Sequence, residues 1–255
     1  MSAFTAMMWN GFREARRNRV TVVVGVFAVI VLLSSTLVTE VTVNTFDRVL
    51  TDFGLGMMSL ILAFLAIFLS CGLLSREIER RTIFLMVSKP VSRTQFLLAR
   101  LAGTMLTLGV VLVAMTLIFL SQLVLFRTPI HSTHLVAAGA MWFELLVLSS
   151  AGILFSSFCG PAVSSICTTG LYFAGHLAGD LYEISSYSES QMVRWMGRAI
   201  FYMLPNLERM NFKPQATYAL PVDATTLLSS MGYGVAWAGL FTALAMFIFE
   251  RRDFR

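Results

Sequence analysis

The most constraining feature of this 255-residue sequence is a series of apolar runs too long for any soluble core of this size. The hydrocarbon layer of a bilayer is about 30 Å thick, and a helix needs about 20 residues to cross it. Runs at 20–38, 54–74, 95–126, 135–158, 162–178 and 225–249 meet or approach that length. Apolar residues make up 57% of the chain and charged residues only 13%, about half the share of a soluble domain. Lipid must therefore be the second solvent. The expectation is an all-α membrane protein of six transmembrane helices, forming one transmembrane domain over 1–255.

The polar stretches between the runs organise the rest. Residues 2–18 are amphipathic, with Phe4, Met8, Phe12 and Ala15 on one helical face and Arg13, Glu14, Arg16 and Arg17 around it. This pattern predicts an N-terminal helix lying in the membrane interface, an elbow leading into the first span; a solvated basic tail is the alternative. A signal peptide has an apolar stretch of about 7–15 residues close behind a short basic segment. The run at 20–38 is longer and starts later, so it is expected to be a retained span. The 95–126 run exceeds a bilayer's needs and is expected to begin outside it. Cys159-Gly160-Pro161 places breaker residues between the fourth and fifth runs, which predicts a tight helical hairpin. In the outer loop at 180–224, Met192, Trp195, Met196, Ala199, Ile200 and Met203 recur at helical spacing, and Pro205 ends the run. An amphipathic helix lying on or dipping into the outer leaflet fits this stretch, as does a short soluble cap.

Lys and Arg set the orientation, because they concentrate on the cytoplasmic side. Of the 19, 13 fall in the N-terminal segment, the 75–94 loop with the start of the next helix, and the C-terminal tail. Six fall on the other side: Arg48, Arg127, Arg194, Arg198, Arg209 and Lys213. Both termini and the 75–94 loop are thus expected in the cytoplasm, with the chain in the inner membrane. The pI of about 9.4 reflects these flanking arginines and not a nucleic-acid surface, so no nucleic-acid partner is expected.

Several chemistries find no support. Lys89 and Lys213 are the only lysines, and no Gly-rich phosphate loop ends in lysine, so the chain is not expected to bind nucleotide or act as an enzyme. Cys71, Cys159 and Cys167 form no Cys-x-x-Cys pair and are expected to be plain buried thiols. His131 and His134 alone fall two ligands short of a closed tetrahedral site, so no metal is expected. A serine–histidine dyad from Ser149, Ser150, Ser164 or Ser165 with His176 is conceivable, but no nucleophile-elbow motif accompanies it. Two intramembrane polar residues stand out. Glu144 lies well inside the fourth run, where a carboxylate must face protein or water. It belongs either to a transport path or helix contact, or to packing as a protonated or snorkelling carboxyl. His176 sits within Gly175-His176-Leu177-Ala178-Gly179, a small-xxx-small face suited to close helix approach, so packing is its expected role.

The most informative stretch links the second and third runs. It begins Ser75-Arg76-Glu77-Ile78-Glu79-Arg80-Arg81-Thr82-Ile83-Phe84 and ends Val87-Ser88-Lys89-Pro90-Val91-Ser92-Arg93. It combines a charged extension of a span, a short apolar helix and a Lys-Pro turn. Ser92 is suited to cap the next helix. A compact charged hairpin of this kind can receive a push from a soluble partner; an ordinary positive-inside loop is the other reading.

That stretch resembles the cytoplasmic loop of ABC-2 type transporter permeases, including the copper-enzyme maturation and gliding-motility branch. Glu144–Ser150, Leu154–Phe158 with Pro161, Gly170–His176 and Leu204–Leu207 resemble the same family in order and spacing. Arg81 departs from it, since many relatives carry glycine there. The resemblance implies an elbow helix, six spans, and pairing with a second permease, identical or similar. It also implies two copies of a separate ABC ATPase that holds the ATP and Mg, with no cofactor on this chain. Carried over, the 75–94 loop is the coupling helix, with Glu77, Glu79, Arg80, Thr82, Phe84, Lys89, Pro90 and Arg93 meeting the ATPase. Export of an unidentified substrate is the implied activity. The alternative is the membrane component of a larger assembly or motility machine.

Overall fold

The computed structural model describes residues 5, 8–9, 12–13, 21–41, 45–79 and 92–251, and these are helical or in short connections, with no strand among them. The helices are α1 (Thr21–Val41), α2 (Phe46–Glu79), α3 (Arg93–Leu125), α4 (Ser132–Ser156), α5 (Pro161–Ser186), α6 (Gln191–Met203), α7 (Lys213–Thr217) and α8 (Ala224–Arg251). A 3-10 turn, Leu207–Met210, lies between α6 and α7. Among the described residues, four helices are both long and apolar enough to cross a membrane: α2, α3, α4 and α8. The apolar stretch of α1 described at Val22–Ser34 is shorter. α5 has 26 residues but carries Ser164, Ser165, Thr168, Thr169, His176, Asp180 and Glu183, which lower its hydropathy. Of the six expected spans, four meet both criteria of length and hydropathy among the described residues.

Helix boundaries differ from the apolar runs where charges meet helical backbone. α2 begins at Phe46, not 54, and includes Asp47, Arg48 and Asp52. Asp47 sits in the first turn, where a carboxylate suits the helix dipole, and its Oδ1 accepts a hydrogen bond from Thr128 Oγ1 at 3.2 Å. α5 likewise continues past 178 to Ser186, so the following connection starts at 187. Apolarity marks where lipid is; it does not mark where a helix stops.

α4 is the hub, packing most extensively on α8 and α2 and also on α3 and α5. Of its most apolar stretch, 72% is buried, against 33% for α8, which therefore faces outward. Without a hydrophobic force between helices in lipid, close approach depends on small side chains. α4 supplies them in Ala137, Ala138, Ala140, Ala151 and Gly152. A Cβ at Gly152 would collide with the Ser70 side chain and sit 3.2 Å from Cys71 Sγ on α2. Gln122 of α3, itself buried, donates from Nε2 to the Val31 carbonyl of α1 at 2.9 Å.

Two expected punctuations are present. α4 ends at Ser156 and α5 starts with Pro161 in its first turn, and Ser156 Oγ meets Ser164 Oγ at 3.2 Å across the hairpin. Ser92 caps α3, its Oγ accepting from Gln95 N at 3.2 Å. One expectation is corrected. Only Cys71 is a buried thiol; Cys159 is half-buried at the hairpin and Cys167 is exposed, because that face of α5 is turned away from the bundle.

Candidate functional site

The 187–223 connection lies at the distal end of the bundle, opposite the end where α2 stops at Glu79 and α3 begins at Arg93. Thr128 with Asp47, and the Arg48 guanidinium 5.4 Å over the Tyr218 ring, bring the other connections of that end beside it. α6 folds back along the end of α5, with the Tyr182 and Phe201 rings 4.8 Å apart. It stops at Met203 because Leu204 precedes Pro205 and is extended. Its other face is open. Met192, Trp195, Tyr202 and Met203 are exposed, and a groove of about 680 Å³ is lined by Gln191, Met192, Arg194, Trp195 and Arg198.

Beyond Pro205 the chain turns inward. Leu207, Met210, Phe212 and Ala216 are buried. Lys213 Nζ reaches Ser59 Oγ at 3.1 Å, well inside the apolar stretch of α2. The segment therefore folds back into the helical bundle, and the buried residues lie within 205–217 and not on the exposed helix before it. Gly175 makes room: a Cβ there would lie 2.8 Å from the Pro205 carbonyl oxygen and 2.8 Å from Leu207 Cγ. One turn on, a Cβ at Gly179 would meet Asn206 Nδ2 at 3.6 Å, an ordinary contact. The small-xxx-small face of α5 thus receives a turn of backbone and not a helix. Asn206 holds the turn twice, its Oδ1 accepting from Glu208 N at 3.1 Å and its own N donating to Tyr233 Oη of α8 at 2.8 Å.

This descent assembles a polar cluster. Glu144, midway along α4, has Oε1 3.1 Å from His176 Nε2. His176 Nδ1 is 3.1 Å from Glu208 Oε2. The second oxygen of Glu208 accepts from Asn211 Nδ2 at 2.6 Å. Tyr172, one turn before His176, sets its ring edge-on to the imidazole at 4.8 Å. Exposure rises along the cluster, from 4% at the Glu144 side chain to 19% at His176 and 47% at Glu208. The Glu208 carboxyl is held below its ordinary pKa, chiefly by the hydrogen bond to His176; partial burial opposes this, and Asn211 and the charges of His176 and Lys213 support it.

The geometry ties α4, α5 and the 205–217 segment together through one imidazole. Both ring nitrogens of His176 face carboxylates; Ser150, Ser164 and Ser165 donate to carbonyls of their own helices, and the Ser149 hydroxyl is buried without a hydrogen-bond partner. The two carboxylates lie on opposite sides of the ring and do not converge. Among the described residues no group of three His, Cys, Asp or Glu could hold a metal.

A family model described as "ABC-2 family transporter protein" matches residues 5–254. The chain belongs to the ABC-2 transporter family. It is accordingly a membrane component of an ABC transporter, carries no ATPase domain of its own in that family, and partners an ABC ATPase. No curated protein matches the chain.

Of the site residues singled out in this ABC-2 protein's sequence, the structure brings Glu144 and His176 together. Glu77 and Glu79 lie in the last turns of α2, and Arg93 opens α3. Arg80, Thr82, Phe84, Lys89 and Pro90 lie outside the described residues, as does most of the 2–18 segment. Within that segment Trp9 and Phe12 are helical, with ring centres 5.3 Å apart. Glu208, Asn211 and Lys213 were not picked out from sequence. The available signal was a carboxylate and one of only two lysines interleaved with Leu207, Met210 and Phe212 just after a proline.

Proposed function

We propose that the chain is the permease subunit of an ABC exporter, with six spans, an interfacial elbow at 2–18, and both termini and the 75–94 loop on the cytoplasmic side of the inner membrane. Two permeases, identical or similar, form the path, and two ATPase copies drive it. Family membership over almost the whole chain carries this reading. The helix ends support it: α2 runs past its apolar stretch to Glu79, and α3 restarts at the Ser92 cap. Two continuous helices thus lead from the loop into the bundle, and a helix transmits displacement along its axis with little loss.

In this mechanism ATP binding draws the ATPases together. They displace Glu77, Glu79, Arg80, Thr82, Phe84, Lys89, Pro90 and Arg93, and α2 and α3 tilt. The tilt of α2 reaches the distal end through Ser59 and Lys213. There the 205–217 segment, with Glu144 and His176 beneath it, closes the exit until the bundles part, by alternating access or lateral opening. ATP stays on the partner.

Co-purification tests the assignment. Tagged chain extracted in mild detergent is expected to bring down a protein with phosphate-binding-loop sequences, identified by mass spectrometry, in near one-to-one amount. Recovery of the chain free of any such ATPase, under conditions that preserve its fold, contradicts it.

A further inference from the structure

We infer that Glu144, His176 and Glu208 form a one-proton site that latches the segment 205–217 into the bundle, and that losing this proton releases the segment. The first argument is donor counting. Each ring nitrogen of His176 lies 3.1 Å from a carboxylate oxygen. A neutral imidazole has one N–H and one lone pair, and a lone pair facing a carboxylate oxygen is repulsive. Both contacts are favourable only when the site holds two protons, either as two N–H groups on the ring or as one N–H with the other proton on a carboxyl that donates to the second nitrogen. The half-exposed Glu208 keeps its carboxylate charged, so the ring carries the proton facing it.

The second argument is charge. The groups facing the site are Glu144 from α4, His176 and Tyr172 from α5, Glu208 and Asn211 from the turn, and Lys213 from α7, with Ser59 from α2 beyond it. Arg209 is turned away, its guanidinium 4.8 Å over the Tyr233 ring of α8. Two carboxylates are matched by Lys213 and one further positive charge. The cluster is neutral when His176 is protonated and carries a net negative charge when it is not. Unpaired charge beside a side chain as buried as Glu144 is costly.

The exposure gradient decides which contact breaks. Glu144 is shut away from solvent and must keep its N–H donor, whereas Glu208 is 47% exposed and water can replace the ring. On proton loss the Nδ1–H bond breaks, the Glu208 carboxylate takes the proton and passes it to water, and Nε2–H stays with Glu144. The contact given up is the one that holds the segment. Hydrogen bonds of this kind, with both partners charged, are the strong ones.

This inference rests on the depth of segment 205–217 and not on the ATPase assignment, so each can fail without the other. The test is hydrogen–deuterium exchange of peptides covering 204–218, using the full chain in phospholipid nanodiscs over a pH series and normalised to intrinsic exchange. Protection is expected to fall about tenfold in one step as pH rises, the order of one lost charge-assisted hydrogen bond. His176→Gln and Glu208→Gln are expected to remove the step. A flat wild-type profile overturns the proposal, as does an unchanged step in His176→Gln. Should either variant fail to fold, the wild-type profile decides together with histidine ring-nitrogen NMR. Two protonated ring nitrogens on one buried histidine below the step support the latch, and a neutral ring at that site throughout overturns it.

Discussion

Replacing Gly175 and Gly179 separately by alanine tests the packing of the 205–217 segment on α5. Both lie on the same helix one turn apart, so the gain in helix propensity, up to about 1 kcal/mol each, cancels in the comparison. What differs is the space. At Gly175 the new methyl would lie 2.8 Å from the Pro205 carbonyl oxygen and from Leu207 Cγ. The carbonyl is backbone, and Leu207 is fully buried, so neither gives way freely. At Gly179 the nearest atom is Asn206 Nδ2 at 3.6 Å, which needs no adjustment. Overpacking of this severity costs about 1–3 kcal/mol. For a chain of this size each kcal/mol shifts Tm by about 2–4 °C. Gly175→Ala is therefore expected to melt about 4–8 °C below Gly179→Ala in the same nanodiscs, for a cost near the middle of that range. Exchange of 204–218 should quicken in Gly175→Ala alone, because the turn that carries Glu208 is pushed from its seat. Equal melting temperatures for the two variants would refute the close approach of Pro205 and Leu207 to α5.

Other outcomes follow from the same contacts. The lowered pKa of Glu208 stabilises the fold above the ordinary glutamate range, about 4.3, and that contribution is lost as pH falls through its depressed folded value. Acid melting curves of wild type should lose stability there, and Glu208→Gln should lose less. Gly152→Val should lower folded yield strongly, since even a Cβ there collides with Ser70 on α2; wild-type yield and Tm would contradict the tight α2–α4 seam. Gln122→Leu should change Tm by only a few degrees: intramembrane hydrogen bonds average about 0.6 kcal/mol, and Gln122 Oε1 is buried without a partner, so its removal offsets the lost bond to Val31. A fall of 10 °C or more would show that the tie to α1 matters far more.

The bundle was legible in the sequence because lipid enforces continuous apolarity, and each apolar run corresponds to a helix. The limits of those helices were less legible, since Asp47, Asp52, Asp180 and Glu183 are accommodated in helical turns that extend beyond the runs. The Ser92 cap and the Pro161 hairpin depend on local chemistry and could be read directly. Glu144 and His176 stood out because charge inside an apolar run demands a partner. That partner, Glu208, is 32 residues from His176. It arrives on a segment with no periodic pattern of its own, held by Asn206, Tyr233 and the gap at Gly175. Such tertiary contacts leave no local trace. The amphipathic pattern at 192–203 correctly marks a helix with an exposed apolar face, but it gives no sign that the buried residues come just after it.

The most direct measurement of the central claim is ATP hydrolysis by the co-purified complex in nanodiscs, coupled to exchange of the 204–218 segment. With the wild-type chain, trapping the ATPase in its ATP-bound state is expected to alter protection of that segment at the opposite end of the bundle. With Glu77→Ala and Glu79→Ala together, the ATPase should still hydrolyse ATP while the distant segment no longer responds. An identical distal response in the double variant, or no response in wild type, would contradict transmission from the 75–94 loop through α2.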